Sequence, residues 1–170
     1  DLSAFSNGVD DIPDDKKPDH ARVGEAVYRT AKELQGYISK LEEIRVPVIA
    51  AVHGGVIGGA LDLITACDMR FASNDAFFCI QEINIGMAAD VGTLQRLPKI
   101  IPDSKMREMA YTGRRMLADE AKDSGLVGEV YETQDEMLDA VHKLAAEIAS
   151  KSPVAIYGLK AVMNYSRDHN

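Results

Sequence analysis

Residues 46–67 read VPVIAAVHGGVIGGALDLITAC, and this stretch limits the possible folds more than any other. Val46 to Val52 is short, apolar throughout and rich in Val, which reads as a strand buried on both faces, as in a parallel sheet. The glycines at 54, 55, 58 and 59 read as a tight turn. Ala60 to Cys67 then reads as a buried helix. A strand that feeds a helix through glycines belongs to the α/β class, provided that strands and helices keep alternating along the chain.

They do. Residues 1–20 are polar, rich in Asp and punctuated by Pro13 and Pro18, as in an exposed loop. Val23, Val27, Thr30, Leu34, Tyr37, Ile38, Leu41 and Ile44 recur at three and four, which predicts a long amphipathic helix stopped before Pro47. Met69 to Ser73 and Ala76 to Ile80 read as strands on either side of an Asn74-Asp75 turn. Gln81 to Ala89 reads as a loop. Short helices are expected at Val91 to Leu97, Ser104 to Thr112 and Ala118 to Ser124, with Gly113 and Gly125 as stops. Val127 to Tyr131 reads as a strand. Thr133 and Glu136 form a capping box ahead of a stripe running from Met137 to Ile148. Ser152-Pro153 opens the last helix, with Ser as its cap.

Composition excludes several functions. Of 170 residues, 46% are hydrophobic and 27% charged, which are globular values. The net charge of −8 disfavours nucleic acid, whose phosphates need clustered Lys and Arg. No apolar run reaches the roughly 18 residues of a membrane helix, so no membrane insertion is expected. Cys67 and Cys79 fit neither a redox pair nor a zinc pair and read as buried free thiols. The four histidines lack metal-ligand spacing. The opening DLSAFSNGVDD resembles no signal peptide, and the chain reads as a processed or trimmed piece.

Three carboxylates stand out. Asp62 lies on a helix that is otherwise apolar, where a charge is costly unless it is partnered. Glu82 and Asp90 flank INIGMAA, which has no other charge. The glycine-lined helix start beside them leaves backbone N–H groups open to an anion or a developing oxyanion. Apolar surroundings and like charge both raise carboxyl pKa values, which suits proton transfer near neutral pH. Each feature also has a plainer reading. The glycines could serve close packing alone, since residue 53 is His and no dinucleotide fingerprint fits. Asp62 could tie down a loop, Asp90 could cap the next helix and Glu82 could be a solvated loop residue. The methionines at 87, 106, 109 and 116 read as core filler and His53 as a turn residue. Lys99, Arg114 and Arg115 read as solvated surface.

Two segments carry a family resemblance: IRVPVIAAVHGGVIGGALDLITACDMRFAS and FFCIQEINIGMAADVGTLQRLPKIIP. Together with TGRRMLADEAKDSGLV and SPVAIYGLK they resemble the enoyl-CoA hydratase/isomerase (crotonase) superfamily, from about Val46 through Asn164. Asp, Glu and Asp at positions 62, 82 and 90 most resemble its delta(3,5)-delta(2,4)-dienoyl-CoA isomerases. Typical hydratases carry Glu at the first two positions and no acid at the third. Ala60 departs from the family, which often has a third Gly there.

The resemblance implies a crotonase-like β-β-α spiral with C-terminal helices, truncated here at both ends. Residues 1–20 would be a polar loop, 21–150 the core without its first strands, and 151–170 the start of the C-terminal helical region. It implies that Gly59 donates one N–H to a thioester oxygen. The other donor would come from a loop whose G-x-D-L-like motif ends in Asp1-Leu2. It implies that Glu82 takes a proton at C2 of a 3,5-dienoyl-CoA, that Asp90 delivers one at C6, and that Asp62 tunes or orients the pair. No metal or redox cofactor is implied, because coenzyme A is part of the substrate. The expected partners are an acyl-CoA and further copies of the chain, as a trimer or dimer of trimers. The implied setting is fatty acid β-oxidation in the mitochondrial or peroxisomal matrix. Two other readings stay open: an enoyl-CoA hydratase, and a non-catalytic relative that only binds acyl-CoA.

Overall fold

A computed structural model describes residues 19–169. The chain divides into two compact units, Asp1–Glu33 and Leu34–Asn170. In the first unit the described part is the opening of helix α1 (His20–Glu43), where the Asp19 carboxylate accepts the Arg22 N–H at 3.0 Å. The long periodic stripe therefore forms the expected helix, although none of its residues is buried.

The second unit holds the sheets and the core. Strand β1 (Ile49–Val52) is followed by β2 (Gly55–Ile57) and helix α2 (Gly59–Thr65). Strands β3 (Met69–Ser73) and β4 (Phe77–Cys79) come next, then a 3₁₀ turn over Glu82–Ile85. Helix α3 (Thr93–Arg96), a 3₁₀ turn over Leu97–Lys99 and helix α4 (Asp103–Thr112) follow. Strand β5 (Arg115–Leu117), helix α5 (Ala118–Ser124), strand β6 (Val130–Tyr131), helix α6 (Gln134–Ala149) and helix α7 (Pro153–Asp168) complete the described chain.

The first four strands alternate between two sheets; β5 then joins the second and β6 the first. One sheet has the order β1-β3-β6, all parallel, with Ile49 opposite Met69 and Ala72 opposite Val130. In the other, β2 pairs with β4 in parallel and β4 with β5 antiparallel, so that Gly55 meets Phe77 and Phe78 meets Met116. Two turns of β-β-α are thus laid down, the first strand of each in one sheet and the second in the other. The Asn74-Asp75 turn links strands of different sheets and makes no hairpin.

The core draws on both sheets and on the helices packed against them. Leu61, Phe78, Leu97, Met109, Met116 and Leu126 are fully enclosed. Three of the four methionines expected in the core are there, but Met87 is 49% exposed. Cys67 and Cys79 are free and buried, as expected.

Several sequence expectations need correction. Val46 to Val52 is not buried on both faces: the strand starts at Ile49, and only Val52 in it is buried. The glycine run is not one turn, because β2 lies within it. Strand β5 was not expected at all. The capping hydroxyl of Thr133 does accept the Glu136 N–H, at 3.2 Å. Ser152, by contrast, makes no side-chain cap bond to α7.

Lys160 was also missed. It is 3% exposed and donates to the carbonyls of Leu41 and Val46 at 2.9 and 3.0 Å and to the Asp68 carboxylate at 2.8 Å. Asp68 in turn accepts the Val48 N–H at 2.7 Å. A buried ammonium needs this many acceptors to offset the loss of water. The buried lysine fastens α7 to the chain that enters β1.

Candidate active site

The site is organised by the turn between β2 and α2. Gly58 donates its N–H to the Cys79 carbonyl at 3.0 Å, which ties the turn to the end of β4. Its φ of 55° lies in the left-handed region, where a side chain is disfavoured. Space forbids one as well: a Cβ there would stand 2.9 Å from Glu82 Oε1. The Glu82 carboxylate therefore lies against the start of α2. Gly59 begins that helix, and apart from its chain neighbours and the helix's own backbone nothing stands within 4 Å of where its Cβ would be. First-turn N–H groups have no partner inside their own helix. Gly59 is also exposed, which leaves room for a polarised oxygen beside the helix start.

Glu82 opens the 3₁₀ turn after β4. The turn is held from outside by Asn84, whose amide donates to Gln81 Oε1 at 3.0 Å and to the Gly113 carbonyl at 3.3 Å. Burial pushes the Glu82 carboxyl above its ordinary pKa. The negative charges of Asp62 and Asp90 push it the same way, against the hydrogen bonds from its own backbone and that of Gln81. The three acids thus share one electrostatic neighbourhood. This is the environment of a carboxylate able to take a proton from a weak carbon acid and give it back.

Asp62 is 1% exposed, one turn into α2. Its Oδ1 accepts the Thr93 N–H at 2.6 Å, so it does tie down the neighbouring loop. The plainer alternative, that Asp90 caps the following helix, fails. Gly92, with a φ of 133°, is the N-cap of α3, and Asp90 is exposed two residues earlier. Asp90 borders a cleft of about 350 Å³ shared with Gly92, Gln95, Arg96 and Lys99. Glu82 does not line that cleft. Beside the segment joining the two acids is a second hollow, of about 390 Å³, lined by Ile80, Ile83, Met87, Ala89 and Leu94 among others. Its walls are apolar enough for a hydrocarbon chain.

Asp1 and Leu2 lie outside the described residues. His53 is exposed next to the glycines. Arg114 is engaged, donating to Glu108 at 2.9 Å and to Glu120 at 2.7 Å. Lys99 pairs with Asp168 at 2.7 Å, and the Arg115 guanidinium stacks on the Phe77 ring at 4.2 Å. Among the described residues no group of three or more His, Cys, Asp or Glu could hold a metal ion, and no helix is long and apolar enough to cross a membrane.

Residues 3–170 match the enoyl-CoA hydratase/isomerase family. The chain belongs to that family. Among curated relatives, the mitochondrial delta(3,5)-delta(2,4)-dienoyl-CoA isomerase of Pongo abelii is 50% identical over 98% of the chain and 53% of its own length. The peroxisomal delta(3,5)-delta(2,4)-dienoyl-CoA isomerase of Arabidopsis thaliana is 47% identical over 88% of the chain and 54% of its own length. The crystal structure of a probable enoyl-CoA hydratase/isomerase from Mycobacterium abscessus superposes with a TM-score of 0.80 at 35% identity, covering 85% of this chain and 55% of that one. The chain thus spans about half the length of the relatives it matches. The alternating two-sheet arrangement is the crotonase fold of this α/β family, as the sequence led us to expect.

Proposed function

We propose that the protein isomerises 3,5-dienoyl-CoA to 2,4-dienoyl-CoA in fatty acid β-oxidation. The observation that carries this reading is the Glu82 carboxylate seated against Gly58 at the start of α2, with its pKa raised by burial and by Asp62 and Asp90. The identity of about half to relatives named for this reaction supports it.

A proton next to a thioester carbonyl is weakly acidic. Donors fixed at the oxygen stabilise the enolate, each worth roughly 3–4 kcal/mol. The Gly59 N–H is one such donor. A second donor is implied by the family resemblance alone, at the motif whose end matches Asp1-Leu2. Glu82, as carboxylate, removes the C2 proton, electron density moves along the conjugated chain, and Asp90, entering the step as the carboxylic acid, delivers a proton at C6; proton exchange with solvent, to which Asp90 is exposed, then resets both acids. Asp62 positions the Asp90 loop through Thr93. The apolar hollow beside 83–89 takes the fatty chain. Coenzyme A enters as part of the substrate, and the scheme needs no metal or redox cofactor.

The hydratase alternative requires Asp62 and Glu82 to hold a water between them. The Oδ1 of Asp62 is already committed to Thr93, which weighs against it. Self-association as a trimer or dimer of trimers fits the exposed Val154, Leu159, Val162, Met163 and Tyr165 on α7. A mitochondrial or peroxisomal setting follows the names of the relatives.

The test is to offer the intact protein a 3,5-dienoyl-CoA and a 2-enoyl-CoA side by side. The isomerase reading expects rapid appearance of the conjugated 2,4-dienoyl chromophore and little hydration. Preferred hydration of the enoyl thioester, or binding without turnover, would replace it by one of the two alternatives.

A further inference from the structure

The Asp90 carboxylate is exposed, yet the backbone that carries it is anchored from two sides. Gln35, on α1, donates its amide Nε2 to the Asp90 carbonyl at 2.7 Å. Arg96, on α3, reaches back beneath the loop. A Cβ on Gly92 would stand only 1.7 Å from its Nη1, so the guanidinium occupies the space a side chain would fill. Gly92 itself has a φ of 133°, which few other residues adopt.

The guanidinium is in turn fixed to α1. Its Nε and Nη2 donate to Glu42 Oε2 at 3.0 and 2.7 Å, and Nη2 also donates to Ser39 Oγ at 3.1 Å. The Arg96 and Glu42 side chains are only 13% and 16% exposed, so this pair is far less screened by solvent than a surface ion pair. Both N–H groups converge on one carboxylate oxygen, and the third bond, to Ser39, fixes the plane of the guanidinium.

We propose that Gln35 and Arg96 are positioning residues: they hold the backbone of Asp90 to Gly92 against α1 and thereby set where the Asp90 carboxylate meets the substrate. This rests on the isomerase reading above. Neither residue touches the reacting atoms. Their effect falls on one half of the reaction, delivery of the proton at the far end of the chain. Removal of the C2 proton by Glu82, on a separate turn, is left alone.

That asymmetry gives a readout which a loss of folded protein does not imitate. In D2O, an enolate that waits for its distal proton returns to substrate with deuterium at C2. The measurement is deuterium in recovered 3,5-dienoyl-CoA per molecule of 2,4-dienoyl-CoA formed, using the intact protein. Gln35→Leu and Arg96→Leu are expected to slow isomerisation about tenfold and to raise that ratio about tenfold, since a small misplacement of a catalytic group is costly. Arg96→Lys keeps the charge but loses the converging N–H groups and should show the same rise. Fewer active molecules would lower both quantities together and leave the ratio unchanged.

A wild-type ratio in folded Gln35→Leu overturns the inference. If Arg96→Leu does not fold, Gln35→Leu decides the matter alone. Asp90→Asn is the reference: if it still isomerises at the wild-type rate, the two-carboxylate scheme has failed and the inference falls with it. Loss in Asp90→Asn with an unchanged ratio in Gln35→Leu rejects the positioning role only.

Discussion

The Asp62 carboxylate accepts the backbone N–H of Thr93 at 2.6 Å, with Asp62 only 1% exposed. One side chain thus links the glycine-led helix α2 to the loop that carries Asp90. A charged acceptor for a buried N–H is typically worth about 1.5–3 kcal/mol. Asp62→Ala is expected to cost about 3 kcal/mol in urea unfolding, because the Thr93 N–H is left without a partner. Asp62→Asn keeps an acceptor oxygen and should cost less than half as much. Equal losses would mean that the bond contributes little.

Gly58 admits no side chain on two counts, its φ of 55° and the 2.9 Å from a Cβ to Glu82 Oε1. Gly58→Ala should destabilise the fold by about 1–2 kcal/mol. It should also lower kcat/KM at least tenfold, because the Glu82 carboxylate has to move. A variant of normal activity would show that the Glu82 position is not critical.

Much of this could be read in the sequence before any coordinates. Helix α5 has the limits its pattern predicts, and Gly113 ends α4 as its position suggests. The three acids were legible because each breaks an apolar segment. Strands β2 and β5 were not. Each has three residues and exists through pairing with β4, which no local pattern encodes. Asp90 sits where a helix cap is usual, yet the positive φ of Gly92 moves the helix start past it. Gln35 and Arg96 gave no signal, since their contacts join residues more than fifty positions apart. Lys160 could have been noticed as the single cation between Ile156 and Val162 on α7.

The raised pKa of Glu82 has two consequences for pH. As a base it must be ionised, so kcat/KM should fall on acidification with an inflection above the ordinary glutamate value of about 4.3. For stability the sign is reversed. The folded protein holds the Glu82 proton more tightly than the unfolded chain does. That contribution is fully present below the unfolded pKa and is lost as pH rises through the folded one. Glu82→Gln, which cannot ionise, should therefore be inactive, yet gain stability relative to wild type as pH rises from the ordinary glutamate value of about 4.3 into the neutral range. Urea midpoints across that range check this, and a gain that shrinks with rising pH contradicts it.

Removing Lys160 leaves Asp68 facing α7 without its counter-charge. Lys160→Met should cost about 3 kcal/mol, within the range for breaking a buried pair. Adding Asp68→Asn should recover part of that loss, because the uncompensated charge is gone. Chemical unfolding of the single and double variants measures both effects. If the double variant is no more stable than Lys160→Met, the ammonium serves mainly the Leu41 and Val46 carbonyls.

The most direct measurement is the rate of 2,4-dienoyl-CoA formation by Asp90→Asn in the intact protein, with folding verified by its thermal midpoint. Asp90 is exposed and caps no helix, so the substitution should leave the fold unchanged. Isomerisation is expected to fall at least a hundredfold, in line with the worth of a positioned proton donor. A folded Asp90→Asn protein that forms the 2,4-dienoyl product at the wild-type rate would contradict proton transfer by two carboxylates.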